Sequence, residues 1–506
     1  MRKFEKFTFE SFDFDKQNLQ AKFYYSFDNW TEIFEEIIDF KCEWFEILGT
    51  SPFLKREYPK GEGLVDPILN NFLFQLHLAL WISYYKLFPT KTLEVKSGYL
   101  DDDQITFWEK FYKNGLGEFF ITNKIDPNWL IKFVNAGSAV SIEELTIRNN
   151  YIENSKNFIE WKSLLLWWGG KDSIVSYSLL KNKKKFDLFV FWKVDAIKKS
   201  TSEITWEKLL LVKRTLSKNL FILNKQWYYN GHVPITWIIA FATFVVGYLY
   251  WYSNIILSNE ASASESNTQW KGMNVNHQYS KSLEFEQDLL HYSQSYISQW
   301  IKYFSLLRGM YEYRIASIFA HQKDFFEEFS SCNRNFVISP PLTPPFEGGE
   351  EQECSAAPLA RGRLGRGWLW CCECEKCAFV YLILSPFLKE NDLINIFWEN
   401  LFEKESLEKT FRELIWLEKH KPFECVWIYE ESLLSAKKVI QSYLPPVREK
   451  SSKGDGGNKI LPIVLQNIKT EVFKKCDKQT EKNLENKLLK LSDQDIIPVS
   501  LKKYFI

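Results

Sequence analysis

Neither sign of charge is in excess: 64 Lys plus Arg balance 64 Asp plus Glu, and the formal net charge is zero. A balanced chain offers no broad positive field for a phosphate backbone, which excludes non-specific nucleic-acid binding as a default activity. The opening residues, Met1 to Lys16, contain no apolar h-region and no small-residue cleavage site. The expectation is therefore a chain without a secretory leader, starting near Met1 and working in the cytoplasm. Nine cysteines, four of them (Cys371, Cys372, Cys374 and Cys377) within seven residues, are too unevenly placed for a disulfide framework. That distribution suits metal ligation in a reducing compartment. Long uncharged runs are also scarce. Ile235 to Tyr252 is about long enough to cross a bilayer, but it lacks Lys/Arg clusters at its ends and runs into Asn254-Ile-Ile-Leu-Ser258. It reads as a buried helix followed by a short strand, with no stable membrane insertion expected.

What is present is apolar mass. With 506 residues, 45% of them hydrophobic and 17% aromatic, the chain has room for two or three domains with sizeable cores. Phe7 and Phe9, then Phe12 and Phe14, then Phe23, Tyr25 and Phe27 recur at period two, which predicts a β-hairpin with one buried face. The parity slips between Phe9 and Phe12, so a bulge belongs there. The run from Asn71 to Lys86 is too long and continuous for a strand and predicts a buried helix. Residues 1–155 thus form an α+β N-terminal domain. From about Asn157, apolar runs alternate with helix-length segments: Leu164 to Trp168, Phe186 to Trp192, Leu220 to Leu223 and Ile255 to Ser258. Strands without polar alternation signal a parallel sheet covered on both faces, an α/β domain over 156–435. Residues 338–367 and 444–459, rich in Pro, Gly and charge, are expected to be surface loops, the first a disordered insertion in that domain. The tail, 436–506, carries a flexible linker and an amphipathic stretch with Leu484, Leu488, Leu489 and Leu491.

The first strand of the α/β pattern runs into Gly169-Gly170-Lys171-Asp172-Ser173 and then a predicted helix, Ile174 to Leu180. Glycines allow close backbone approach to oxygen atoms, and amides at a helix N-terminus form an anion site. Lys171 adds positive charge, Asp172 suits Mg²⁺ and the Ser173 hydroxyl can donate to phosphate. The spacing is not that of a Walker A loop. It resembles the Ser-Gly-Gly-x-Asp-Ser loop of PP-loop ATP pyrophosphatases, with Trp168 standing where that pattern has Ser or Gly. The plainer alternative is a strand–turn–helix junction whose glycines serve only the turn.

Cys371, Cys374 and Cys377 share a regular spacing, and Cys332 is the obvious fourth ligand for a closed, structural Zn²⁺ site. The arrangement resembles the zinc site of 7-cyano-7-deazaguanine synthase with a lengthened intervening loop. Free or redox-active cysteines, or an iron–sulfur cluster, are the alternatives. Cys354 and Cys372 read as bystanders.

Between these motifs lie Gly231-His-Val-Pro234, Leu257-Ser-Asn-Glu260-Ala-Ser262-Ala-Ser264 and Val275-Asn-His277-Gln-Tyr-Ser-Lys281-Ser-Leu-Glu284-Phe-Glu286. Then follow Tyr303-Phe-Ser305, Arg308, Ser331-Cys-Asn-Arg334 and His420-Lys-Pro-Phe-Glu-Cys425. Each has a structural reading of its own: His232 and Pro234 can shape a turn, Asn276 and His277 can cap a helix, and Arg308 and Glu312 can form an i,i+4 pair on a solvated face. Taken in this order, however, the blocks are similar to the muramoyl-L-alanyl-L-glutamate epimerase family, from the opening hairpin to about Glu431. The resemblance implies a parallel-sheet PP-loop (adenine nucleotide alpha hydrolase-like) domain behind the N-terminal α+β domain. It further implies UDP-N-acetylmuramoyl-L-alanyl-L-glutamate and ATP as partners, with Mg²⁺. Gly169, Gly170, Lys171, Asp172 and Ser173 would bind the nucleotide, Lys171 and Asp172 acting in its chemistry too, and Glu260, His277 and Lys281 are the candidates for proton transfer. Two rivals remain: another PP-loop adenylating enzyme, acting on tRNA or a carboxylate for amidation, and a zinc-stabilised membrane or scaffold protein.

Overall fold

The computed structural model describes residues 4–28, 31–42, 66–137, 146, 149–150, 162–226, 228–266, 268–276, 278–332, 369–418, 428–444, 460–492 and 495–502. The expected loops at 338–367 and, past Leu444, at 445–459 fall outside this set. Two compact units divide the chain, one of Met1–Trp168, Ser176–Gly309 and Asp493–Ile506, the other of Gly169–Val175 and Met310–Ser492.

The first unit is mixed α/β, built on a large, mostly parallel sheet of β1 (Lys6–Asp15), β2 (Gln20–Phe27), β3 (Glu32–Asp39), β4 (Thr92–Val95), β5 (Lys132–Asn135), β6 (Lys162–Leu166), β7 (Phe186–Trp192), β8 (Leu209–Thr215), β9 (Tyr252–Leu257) and β12 (Lys302–Ser305). A separate ribbon pairs β10 (Thr268–Trp270) with β11 (Met273–Val275). Strand order in the large sheet is β12-β9-β6-β7-β8-β3-β2-β1-β4-β5. The aromatic hairpin forms as its period-two pattern dictates, with Phe7, Phe9, Phe23, Tyr25 and Phe27 buried, and the parity slip becomes a register shift between Phe9 and Ser11. β3 then pairs antiparallel with β8 through Ile37, Ile38 and Asp39, so strands from before and after residue 155 share one sheet.

One expected strand is corrected. Leu220 to Leu223 lies in a helix, Lys218–Asn224, and the strand is the preceding β8. The helical period explains it: Leu220 and Leu223, three apart, are buried, while Phe221 and Ile222 between them are exposed. The uncharged run forms the helix Ile235–Tyr250, leading into β9. Its 16 residues span about 24 Å, short of the roughly 30 Å hydrocarbon layer. No helix among the described residues is long and apolar enough to cross a membrane.

The parallel strands decide where a site belongs. From β6 the chain builds outward through β7 and β8 on one side, then returns to add β9 and β12 on the other. The topological switch point, where open α/β sheets bind ligands beyond the carboxyl ends of their strands, falls between β6 and β9.

In the second unit, helices Glu312–Phe319, Glu375–Leu384, Tyr429–Tyr443, Ile463–Lys475 and Lys478–Leu489 pack together. The amphipathic tail is part of this packing: Leu488 is buried, and Arg314 donates to the Leu489 carbonyl over 2.6 Å.

Candidate active site and cysteine cluster

The chain leaves β6 through Trp167, whose Nε1 donates to Thr201 Oγ1 over 3.1 Å, and Trp168, which lies 38% exposed with the Lys198 ammonium 5.7 Å from its ring centroid. Gly169 has φ +71°, a left-handed conformation that any side chain would strain. The helix Lys171–Leu180 follows, its first turn closed by Ile174 N–H and Ser173 Oγ, both donating to the Gly170 carbonyl at 3.2 and 2.9 Å. The amides of the first turn have no acceptor within the helix, which leaves an anion-binding end. Ser331 leans against this loop: a Cβ on Gly170 would stand 3.1 Å from Ser331 Oγ and 3.4 Å from the Ser330 carbonyl.

Lys171 is 1% exposed, and its ammonium donates to both the Asp172 and Glu312 carboxylates. Burial alone lowers a lysine pKa, but the two carboxylates overcome it and hold Lys171 above the ordinary lysine value. Two carboxylates against one ammonium leave a negative charge in excess, which suits an incoming divalent cation better than a bare anion. Glu312 was not singled out by sequence as Lys171's partner. The solvated face suggested for Arg308 and Glu312 is not found: the Arg308 guanidinium and the Glu312 carboxylate are both buried, the first against Glu286 and the second against Lys171.

Arg308 instead meets Glu286, fully buried at the start of the helix Leu283–Tyr296, with Nη2 to Oε1 at 2.6 Å. Ser305 Oγ, at the end of β12, and Asn259 Nδ2, at the exit of β9, also donate to Glu286, Asn259 over 3.2 Å. Two of the proton-transfer candidates are tied to this group through their backbones: Arg308 Nη1 donates to the Glu260 carbonyl at 2.7 Å and Nη2 to the Lys281 carbonyl at 2.6 Å. The third, His277, lies outside the described residues. Beside it, Gln278 N–H donates to Asn276 Oδ1 over 2.8 Å and Asn276 Nδ2 to the Ala263 carbonyl over 3.0 Å. The structural alternative for Asn276, a helix cap, is not what it does here: Ser282 Oγ, accepting from Phe285 N–H at 3.1 Å, caps Leu283–Tyr296. A signal for Glu286 was available in sequence, since an acidic residue in line with Ser282, Leu289 and Ser293 at helical spacing sits on a buried face. His232 Nδ1 lies 3.5 Å from Glu118 Oε2.

The four predicted metal ligands do come together. The sulfurs of Cys332, Cys371, Cys374 and Cys377 all lie within 4.8 Å of one another, and Cys377 Sγ is 3.7 Å from that of Cys371 and 3.5 Å from that of Cys374. A tetrahedron with Zn–S bonds of about 2.3 Å has edges of roughly 3.8 Å, so the donor set fits such an ion. Cys372 turns away at φ +55°, its thiol donating to the Phe397 carbonyl at 3.0 Å, and burial pushes its pKa up to about 12.

A family profile described as the MurL N-terminal domain matches residues 1–306, and one described as the MurL C-terminal domain matches residues 328–444. Three proteins named UDP-N-acetyl-alpha-D-muramoyl-L-alanyl-L-glutamate epimerase are similar to the chain. The one from Xanthomonas oryzae pv. oryzae is 30% identical over 439 residues, 85% of this chain and 86% of its own. Those from Micromonospora sp. and Salinispora tropica are each 29% identical, covering 86% of this chain and 87% and 85% of theirs. No solved structure matches. With both family domains present in order and relatives aligned over most of their length, this chain belongs to the MurL family.

Proposed function

We propose that this chain is an epimerase that inverts the terminal L-glutamate of UDP-N-acetylmuramoyl-L-alanyl-L-glutamate to D-glutamate, in peptidoglycan synthesis and at the expense of ATP. The observation that carries the reading is the relation, across 85% of the chain, to a protein bearing the name of that activity. A proton beside a free carboxylate is hard to remove, because the carbanion would form next to an existing negative charge. Activation therefore comes first. The α-carboxylate oxygen attacks the α-phosphorus of ATP and pyrophosphate leaves, with the glycine-loop amides and Ser173 as its cradle and the charge of Lys171 close by. Asp172 is the ligand offered to Mg²⁺, which would neutralise the phosphates. With its carboxyl group uncharged as an acyl-adenylate, the glutamate Cα–H is more acidic. One group removes the proton from one face and another returns a proton to the other face, and water then releases AMP and restores the carboxylate. Glu260, His277 and Lys281 are the proposed acid and base. Cys332, Cys371, Cys374 and Cys377 are proposed to hold a Zn²⁺ whose closed coordination gives it a structural part only.

The test is incubation of the purified chain with the UDP-linked dipeptide, ATP and Mg²⁺ in D₂O, following AMP, glutamate chirality and deuterium at Cα. AMP with deuterated D-glutamate is expected. AMP without inversion would reject the epimerase reading while keeping nucleotide activation, and neither product would reject both.

A further inference from the structure

We infer that Arg308 is a positioning residue for the proton-transfer half of the reaction, acting through the backbones of Glu260 and Lys281. The inference rests on the proposed epimerase reading. Its ground is the division of labour on one guanidinium. Arg308 is 1% exposed, its Nε and Nη2 donate to the two oxygens of Glu286 at 3.3 and 2.6 Å, and Nη1 and Nη2 donate to the carbonyls of Glu260 and Lys281. Those carbonyls belong to separate segments, one at the exit of β9 and one just before the helix Leu283–Tyr296. The planar fork thus sets the spacing between the two backbones that bear candidate acid and base groups, while Glu286, held in turn by Ser305 and Asn259, sets the orientation of the fork. A lysine at this position would keep the charge but not the fork. The Arg308 bonds go to the backbones that bear the candidate acid and base groups, so inversion at Cα is expected to suffer more than activation of the carboxylate when Arg308 changes.

The experiment measures two rates on the same sample in D₂O: AMP formation from ATP and the UDP-linked dipeptide, and deuterium entering Cα. For Arg308→Lys we expect deuterium incorporated per AMP to fall roughly 10²-fold, the scale of a misplaced reacting group, with AMP formation reduced far less. Arg214→Lys is the control. It alters a second buried ion pair of the same sheet, Arg214 with Glu36, and should leave the deuterium-to-AMP ratio unchanged. If Arg308→Lys does not fold, Ser305→Ala, which removes one donor to Glu286, decides the matter with an expected several-fold drop in the ratio. A ratio unchanged in the folded Arg308 or Ser305 variant, or lowered equally in Arg214→Lys, overturns the inference. Absence of AMP and inversion in the unaltered chain would instead reject the proposed function itself.

Discussion

At the scale of single residues, Lys171 is held in place by opposite charge. Glu312, also 1% exposed, accepts from the Lys171 ammonium. Lys171→Met leaves that carboxylate buried without it, and a loss of about 3–5 kcal/mol is expected in denaturant unfolding. Lys171→Met combined with Glu312→Gln should recover much of the loss, and an equal loss in the single and double variants would show that the pair is not the cause. A second residue sets a pH limit. His77 is buried among Phe9, Phe12, Phe23 and Tyr25, with its ring nitrogens on Ser97 Oγ and the Tyr24 carbonyl. Burial depresses its pKa to about 3, a hydrogen bond to the Tyr24 carbonyl opposing only in part. Below the unfolded value of about 6.5 the unfolded chain takes a proton that the folded chain refuses, so stability present above that pH is lost as pH falls toward 3. The slope from this group approaches about 1.4 kcal/mol per pH unit, and thermal unfolding of His77→Gln between pH 6.5 and 4 should be flatter than that of the unaltered chain. Parallel profiles would remove His77 from the account.

At the scale of elements, the helix Glu375–Leu384 begins at Cys374 with no side-chain cap, although Cys374 and Cys377 stand at its cap and third position. Thiolates there would meet the positive end of the helix, and a bound ion would join that end to Cys332 and Cys371. One zinc per chain is expected by elemental analysis, and stripping it with a strong chelator should lower Tm on the order of 5–10 °C. Cys372→Ser should leave the zinc content unchanged, since its thiol faces Phe397. No zinc in the purified chain, or a Tm indifferent to chelation, would argue for four free thiols. Much at this scale was legible in the residue pattern. The aromatic hairpin and its bulge followed from local period, which the backbone imposes on a buried face, and the Ile235–Tyr250 helix from an uncharged run that leads into a short strand. Leu220 to Leu223 was misread because four apolar residues satisfy either period, and only burial on one helical face distinguishes them.

At the scale of the molecule, the feature with most consequence is the antiparallel pairing of β3 with β8, which makes one sheet of the aromatic hairpin and the parallel strands. The buried Arg214–Glu36 pair lies at this joint, and Arg214 also donates to Ser83 Oγ at 2.8 Å and lies 5.5 Å from the Trp192 ring centroid. A shared sheet with a shared core opens as one unit. Amides of β2 and β7 are accordingly expected to exchange with the same opening free energy in native-state hydrogen exchange. Protection that separates β2 from β7 would show the joint to be weak.

Taken alone, the sequence determined what depends on neighbours along the chain: the glycines at the turn after β6, the cysteine spacing, the alternation of buried and exposed residues, and the order of motifs that marks the family. Partners far apart in number were decided only by the tertiary structure. Arg308 and Glu312, one helical turn apart by count, go to Glu286 and Lys171. The physical reason is that a buried charge is placed by whichever opposite charge the fold carries to it, at a cost of several kcal/mol if none arrives, and that choice is made by strand order rather than by spacing.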